Sequence, residues 1–204
     1  MFDLKDTYNK IAEDWHRDHS EDSWWHEGTE KFISLIKFGS SVLDVGCGAG
    51  HKSKYLTNKG LKITGIDFSD KLIEIAKREN PDVNFFIKDI SKPLELEEKF
   101  DGVFAQAVLL HFPRKDIPNI LVNILEPLKP GGYLYVALKE KREGEQEEGV
   151  VKENDYCYEY ERFFSYFNLD EVKKYLTDAG LEIVYENVAN FGRRNWIQVI
   201  AQKS

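Results

Sequence analysis

The sequence predicts an α/β fold in which a doubly wound, mostly parallel sheet carries helices on both faces and closes with an antiparallel last strand. Three observations predict it. The segment Val42-Leu-Asp-Val-Gly-Cys-Gly-Ala-Gly50 is a short apolar run ending in three glycines, followed by a polar, helix-compatible stretch. That is how a buried parallel strand enters a tight turn and then a helix. Strand-like and helix-like segments then alternate through the middle of the chain, the pattern of a parallel sheet with crossover helices. Near the end, only Asn190-Phe-Gly-Arg-Arg separates two strand-like runs. So short a turn joins antiparallel strands, because parallel neighbours need a long crossover.

Each element has its own signal. Helices are expected around Leu4–Trp15 and Glu27–Lys37, with a polar, Trp- and His-rich irregular segment between them. Strands are expected at Ser41–Val45, Lys62–Asp67, Asn84–Lys88, Asp101–Gln106 and Tyr133–Leu138. Between them, helices are expected at Lys52–Asn58, Asp70–Arg78 and Ile117–Leu125. Gly60 is a C-terminal stop and Ser69 an N-cap. In the third of these helices Ile120, Leu121, Ile124 and Leu125 form one apolar stripe, continued by Leu128. Asn168-Leu-Asp-Glu171 has capping-box spacing and opens a late helix, with Val172, Tyr175, Leu176 and Ala179 as its buried face and Gly180 as its stop. The final strands are expected near Glu182–Val188 and Asn195–Gln202.

Composition bounds the function. The 204 residues suffice for one domain over residues 1–204,. Hydrophobic residues are 42% and charged residues 31%, as in soluble globular proteins,. No apolar run approaches the ~18 residues needed to cross a bilayer, and residues 1–6 lack a signal pattern. Two cysteines give neither a disulfide framework nor metal-ligand spacing, so no metal is expected and a reducing cytoplasm is the natural compartment,. A net charge of −8 disfavours a broad nucleic-acid footprint,. Arg193-Arg194 is a small basic patch, expected on a solvated turn. A monomer or weak homodimer is expected.

The glycine spacing narrows the ligand. Asp-x-Gly-x-Gly-x-Gly is not the Gly-x-Gly-x-x-Gly of dinucleotide folds, which seats a pyrophosphate on a helix N-terminus. Here an acid, Asp44, opens the loop, disfavouring phosphate and suiting a ligand with a positive group. Further blocks follow in order: Gly65-Ile-Asp67-Phe-Ser, Ile87-Lys-Asp89-Ile, Phe100-Asp-Gly-Val-Phe-Ala-Gln-Ala and Leu128-Lys-Pro-Gly-Gly-Tyr-Leu-Tyr-Val. Together with the glycine loop they resemble the class I S-adenosylmethionine-dependent methyltransferases, over roughly Val42 to Lys203. The resemblance implies a seven-stranded sheet with one reversed strand and S-adenosyl-L-methionine as cofactor. It implies that Asp44, Gly46, Cys47, Gly48 and Gly50 hold the methionine portion. Asp67 would take the ribose hydroxyls, Phe68 the adenine face, Asp89 and Ile90 the adenine edge, and Gln106 the end near the transferable methyl.

The remaining candidates are for the acceptor. His111, just after strand four, is either a base at the cleft or a histidine packed beneath the cofactor loop, and its ordinary pKa near neutrality permits both. Tyr8, Trp15, His16, His19, Trp24, Trp25 and His26 form an aromatic and imidazole cluster. In similar methyltransferases this part of the chain, residues 1–40, is a helical lid; alternatively Trp24 and Trp25 only anchor a helix. Residues 139–167 are an insertion near the substrate pocket. In it Tyr156 to Tyr160 alternates like a strand beside Arg162, walling an acceptor pocket or covering a sheet edge. The substrate candidates are therefore Tyr8, Trp15, His16, His26, Tyr160 and Arg162. Gln106-Ala-Val-Leu stands where enzymes of this superfamily acting on exocyclic base nitrogens or glutamine carry Asp/Asn-Pro-Pro-Tyr/Phe, which argues against that chemistry. The reading is a cytoplasmic methyltransferase acting on a small-molecule acceptor. An RNA or protein methyltransferase and a non-catalytic cofactor-binding module are the alternatives, and a nicotinamide oxidoreductase is disfavoured by the glycine spacing.

Overall fold

The computed structural model describes residues 3–19, 25–191 and 194–204. In chain order it contains α1 (Leu4–Asp18), α2 (His26–Leu35), β1 (Ser41–Val45), α3 (His51–Asn58), β2 (Lys62–Asp67), α4 (Asp70–Glu79) and β3 (Asn84–Ile87). Then come β4 (Phe100–Gln106), α5 (Ile117–Leu125), β5 (Leu128–Lys139), β6 (Glu148–Glu153), β7 (Tyr160–Ser165), α6 (Leu169–Asp178), β8 (Leu181–Phe191) and β9 (Arg194–Lys203). Seven strands form one sheet in the order β3-β2-β1-β4-β5-β9-β8. The pairings from β3 through β5 are parallel, and β9 runs antiparallel to both β5 and β8. Order reverses between β1 and β4, so a crevice opens there beyond the strands' C-terminal ends.

Alternation along the strands builds a core on each face. Leu43, Val45, Val103, Leu134, Val136 and Val199 pack with α5 and α6, while Val42, Ile63, Phe104, Tyr135 and Ile200 pack with Phe32 of α2 and Leu56 of α3. The expected stripe of α5 is buried in full. Asn168 and Glu171 close the capping box at α6, and the Ser69 hydroxyl caps α4 by accepting from the Leu72 amide at 3.2 Å.

Several expectations are corrected. Strand five starts at Leu128, because Leu128 pairs with Phe100 ahead of an irregularity that precedes Gly102 and Tyr133. Ala179 is exposed at the end of α6 and contributes nothing to its buried face. Residues 139–167 fold into a β6–β7 hairpin whose strand covers Tyr160–Ser165, not Tyr156–Tyr160. Pairing of Glu153 with Tyr160 sets that register and leaves Tyr156 and Tyr158 in the hairpin's turn. Arg194 is no solvated turn residue. It starts β9 and donates to both carboxylate oxygens of Glu145 at 2.8 Å. Arg193 and Trp24 lie outside the described residues.

Candidate functional site

The glycine loop is held against β2 by its own backbone. Gly46 and Cys47 amides both donate to the Ile66 carbonyl, at 2.8 and 3.0 Å. Gly46 and Gly48 adopt φ of +68° and +54°, where a Cβ is disfavoured,. A Cβ on Gly46 would also lie 2.5 Å from Val108 Cγ2, and one on Gly48 would lie 3.0 Å from the Trp15 ring. Gly46→Ala is therefore expected to destabilise the protein by roughly 2–5 kcal/mol, the sum of left-handed strain and overpacking, read by denaturant unfolding. A loss below about 1 kcal/mol would mean the loop relaxes freely.

Two carboxylates stand at the strand ends. Asp44 is 2% exposed and accepts the Ser53 hydroxyl at 2.5 Å. Asp67 is 6% exposed and accepts the Gly48 amide at 3.0 Å and the Ser69 amide at 2.9 Å. Burial pushes Asp44 up to about 7 despite the Ser53 hydrogen bond. Burial likewise pushes Asp67 up to about 6 against its backbone donors. Both sites therefore favour an arriving positive charge or hydrogen-bond donor. Cys47 beside them is no nucleophile, because burial, then the neighbouring Asp44 and Asp67, raise its thiol well above the usual range,.

These groups face a cavity of about 260 Å³. Asp44, Gly46, Cys47, Gly48, Asp67, Phe68 and Gln106 line it, as do Tyr8 and Trp15 from α1, His111, and Arg162 from β7. The Gln106 carbonyl oxygen is buried with no partner among the described residues. Gln106 ends β4 and lines the cavity at the switch point,.

The rest of the predicted set lies elsewhere. Gly50 ends the loop and precedes α3, on a neighbouring depression with His16 and His26. His16 stacks on His51 at 4.7 Å, and His26 on Tyr55 at 5.2 Å. Tyr160 is buried against α1, with its hydroxyl on Asp155 at 3.0 Å. Asp89 caps its own turn, accepting the Ser91 amide at 2.9 Å and the Ser91 hydroxyl at 2.7 Å, and Ile90 packs in the core beside α5. Neither lines the cavity. A turn acid and a ligand acid look alike in sequence, since both follow a strand.

A connected set crosses the cavity wall. The His111 Nδ1 lies 2.9 Å from the Phe163 carbonyl, which can only accept, so Nδ1 carries the proton,. Its Nε2 then accepts from the Tyr8 hydroxyl at 2.8 Å. The Arg162 guanidinium donates to Tyr8 at 3.4 Å and to both Glu153 oxygens at 2.6 Å. The expectation that His111 titrates near neutrality is corrected. Burial, with the charges of Arg162 and Lys139, lowers it to about 3 despite the Phe163 carbonyl. His111 is therefore neutral across the physiological range.

Sequence reasoning missed Lys139, Phe164, Phe191 and Trp196, all of which line the cavity. For Lys139 a signal existed: it ends β5, beside the switch point,. The others arrive from the hairpin and from the β8–β9 pair, whose proximity no local pattern encodes. Among the described residues no group of three His, Cys, Asp or Glu could hold a metal ion.

Comparisons with known proteins agree with this geometry. A family model described as a methyltransferase domain matches residues 15–186. A ubiquinone biosynthesis O-methyltransferase of Coxiella burnetii is 35% identical over 145 residues, covering 63% of this chain and 58% of that protein. The chain thus spans under two thirds of the length of this curated relative. Among solved structures, a SAM-dependent methyltransferase from Methanosarcina mazei superimposes with a TM-score of 0.72 at 24% identity, covering 83% of this chain and 95% of that one. A 1,6-didemethyltoxoflavin-N1-methyltransferase from Burkholderia thailandensis gives 0.78 at 18% identity, covering 98% and 87%. At these identities the two structures establish the fold. The family match, the switch-point cavity and the glycine loop together make the chain a member of the class I S-adenosylmethionine-dependent methyltransferase family.

Proposed function

We propose that this protein transfers a methyl group from S-adenosylmethionine to a hydroxyl oxygen of a small molecule. The observation that carries the reading is one cavity joining the glycine loop and its buried acids to the Tyr8–His111 pair. The residues present fit the cofactor. Gln106 offers a buried acceptor without a partner, and Asp44 and Asp67 are carboxylates that burial leaves short of positive charge. Asp44, Gly46, Cys47, Gly48 and Gln106 would hold the amino-acid portion, Asp67 the ribose and Phe68 the adenine face. When bound, the cofactor supplies a methyl already activated on a sulfonium.

The chain then has to align the acceptor and remove one proton. His111 presents an unprotonated Nε2, and Tyr8 bridges it to the cavity. Tyr8 passes its proton to Nε2 and takes the acceptor's, so the net proton ends on His111. A base titrating near 3 is weak toward a free hydroxyl. It suffices as the forming C–O bond makes that oxygen positive and its proton acidic, so proton removal accompanies bond formation in the transition state. Arg162, fixed by Glu153, holds the Tyr8 oxygen in place.

His111→Ala is expected to lower kcat by roughly 10²-fold or more, the usual contribution of a positioned base, while S-adenosylhomocysteine affinity changes little. With S-adenosylmethionine saturating, the acid limb of kcat should lie well below pH 6, following the lowered His111 value,. Parallel loss of cofactor binding would assign His111 to packing instead. A turnover screen of a metabolite library with labelled cofactor, read by product mass, tests the function itself. Absence of transfer from a protein that binds the cofactor would favour the non-catalytic module, and transfer to RNA or protein alone would overturn the small-molecule reading.

The concave, aromatic lining of the cavity supports a small acceptor over a macromolecule,. We place the protein in the cytoplasm as a monomer or weak homodimer, in keeping with its two free cysteines. No helix among the described residues is long and apolar enough to cross a membrane.

A further inference from the structure

We infer that Lys139 recognises a carboxylate carried by a planar aromatic acceptor, an assignment that rests on reading this cavity as a methyl-transfer site. Lys139 is the last residue of β5 and lines the cavity. Its ammonium lies 3.7 Å from the Phe164 ring centroid and 5.9 Å from that of Trp196. Trp196 is its register partner across β9, so both side chains leave the same face. The neighbouring cations differ from it. Arg162 has both oxygens of Glu153, and Arg194 both oxygens of Glu145. Among the described residues, no carboxylate forms an ion pair with Lys139 and no acceptor hydrogen-bonds its ammonium. It is a cation held on aromatic faces at the edge of a cavity, with its donors unused.

Position gives the cavity two electrical ends. Asp44 is the last residue but one of β1 and Asp67 ends β2, whereas Lys139 ends β5. In the order β2-β1-β4-β5 these lie two and three strands away, or about 10 and about 14 Å at the ordinary strand spacing,. The acidic end suits the cationic cofactor and leaves the basic end for an anion. The walls there are flat: Phe164 packs at 5.0 Å from the His111 ring, and Phe191 and Trp196 complete the surface. A planar acceptor with its hydroxyl at Tyr8–His111 turns its opposite edge toward Lys139, along the wall that Phe191 and Trp196 form. Burial, then the charge of Arg162, holds Lys139 down to about 7, with Arg194 acting in the same sense and Glu153 and Glu145 against it. An arriving carboxylate would draw that amine back to its charged form.

The test measures binding to the protein saturated with S-adenosylhomocysteine. The probes are two matched pairs, 3,4-dihydroxybenzoate against catechol and 4-hydroxybenzoate against phenol. In each pair the carboxylate is expected to bind at least tenfold tighter. Lys139→Met should abolish that preference while S-adenosylhomocysteine still binds, and Lys139→Arg should retain it, because Arg keeps the charge. The preference should also shrink above pH 7 as Lys139 loses its proton. Equal affinities within both pairs, failure of either carboxylate to bind a complex that does take S-adenosylhomocysteine, or an unchanged preference in Lys139→Met would each overturn the assignment. Failure to bind S-adenosylhomocysteine at all would instead overturn the underlying reading.

Discussion

S-Adenosylhomocysteine is expected to bind this protein roughly 10²- to 10³-fold more weakly at pH 5 than at pH 7.5, following the linkage between ionisation and binding. The cause is the pair of buried acids at the ends of β1 and β2. In the free protein Asp44 titrates near 7 and Asp67 near 6, chiefly because burial disfavours their charged forms. A ligand that brings an ammonium and ribose hydroxyls selects both carboxylates ionised. At pH 5 both protons must then leave on binding, and at pH 7.5 only about a quarter of one,. For folding, the sign is that of raised pKa values. Stability from these acids is fully present below their unfolded value near 3.8, and is lost as pH rises through 6 and 7. Ligand should restore it, so thermal stabilisation by S-adenosylhomocysteine should grow across that window. Calorimetry at pH 5 in buffers of different ionisation heat should count up to two protons released. Affinity independent of pH from 5 to 7.5 would remove both acids from the site. Asp67→Ala should weaken binding by about 1–3 kcal/mol, the cost of unmatched polar partners.

The second large effect should come from α1. Removing residues 1–25 leaves every strand in place, but takes away Tyr8, which bonds His111, and Trp15, which covers Gly48. Transfer should become undetectable, while far-ultraviolet dichroism reports a folded sheet. Truncation also uncovers Leu72 and Ile75 of α4, which pack with Ile11 and Ala12. A point variant is therefore needed alongside it. Tyr8→Phe keeps the ring against Phe68 and His111 but deletes the hydroxyl between Nε2 and the cavity. It should lower kcat by roughly 10²-fold or more with KM and cofactor affinity nearly unchanged, as for a group acting in proton transfer. A truncated protein with full activity, or a Tyr8→Phe protein with normal kcat, would sink the role given to α1.

Much of the fold was legible because its signals are local. The glycine loop, the Ser69 cap, the Asn168–Glu171 capping box and the α5 stripe each arise from interactions within a few residues, so residue type and spacing suffice to read them. β1 and β2 match their sequence boundaries for the same reason: both are apolar runs cut off by turn residues. The hairpin was harder. Tyr156 to Tyr160 alternates as a strand does, yet partner register placed the strand at Tyr160–Ser165. Alternation says that a residue can sit in a strand, and only the opposite strand says which residues do.

The sequence by itself determined the layered α/β architecture, the reversed last strand, and the places of the glycine loop, Asp67 and Gln106 at the strand ends. All of that lies within single strands and the turns that follow them. Tertiary structure alone decided which distant residues meet at the Tyr8 end of the cavity. Tyr8 meets His111 across 103 positions and Arg162 across 154. Lys139 meets Trp196 only because β9 returns antiparallel beside β5. Tertiary structure also decided which acids face the cavity. Asp67 is buried with its carboxylate on the glycine loop, whereas Asp89, in the same position after its strand, turns onto Ser91. The physical reason is common to these cases. Burial and long-range pairing fix a side chain's partners and its pKa, and neither is a property of its neighbours in the chain.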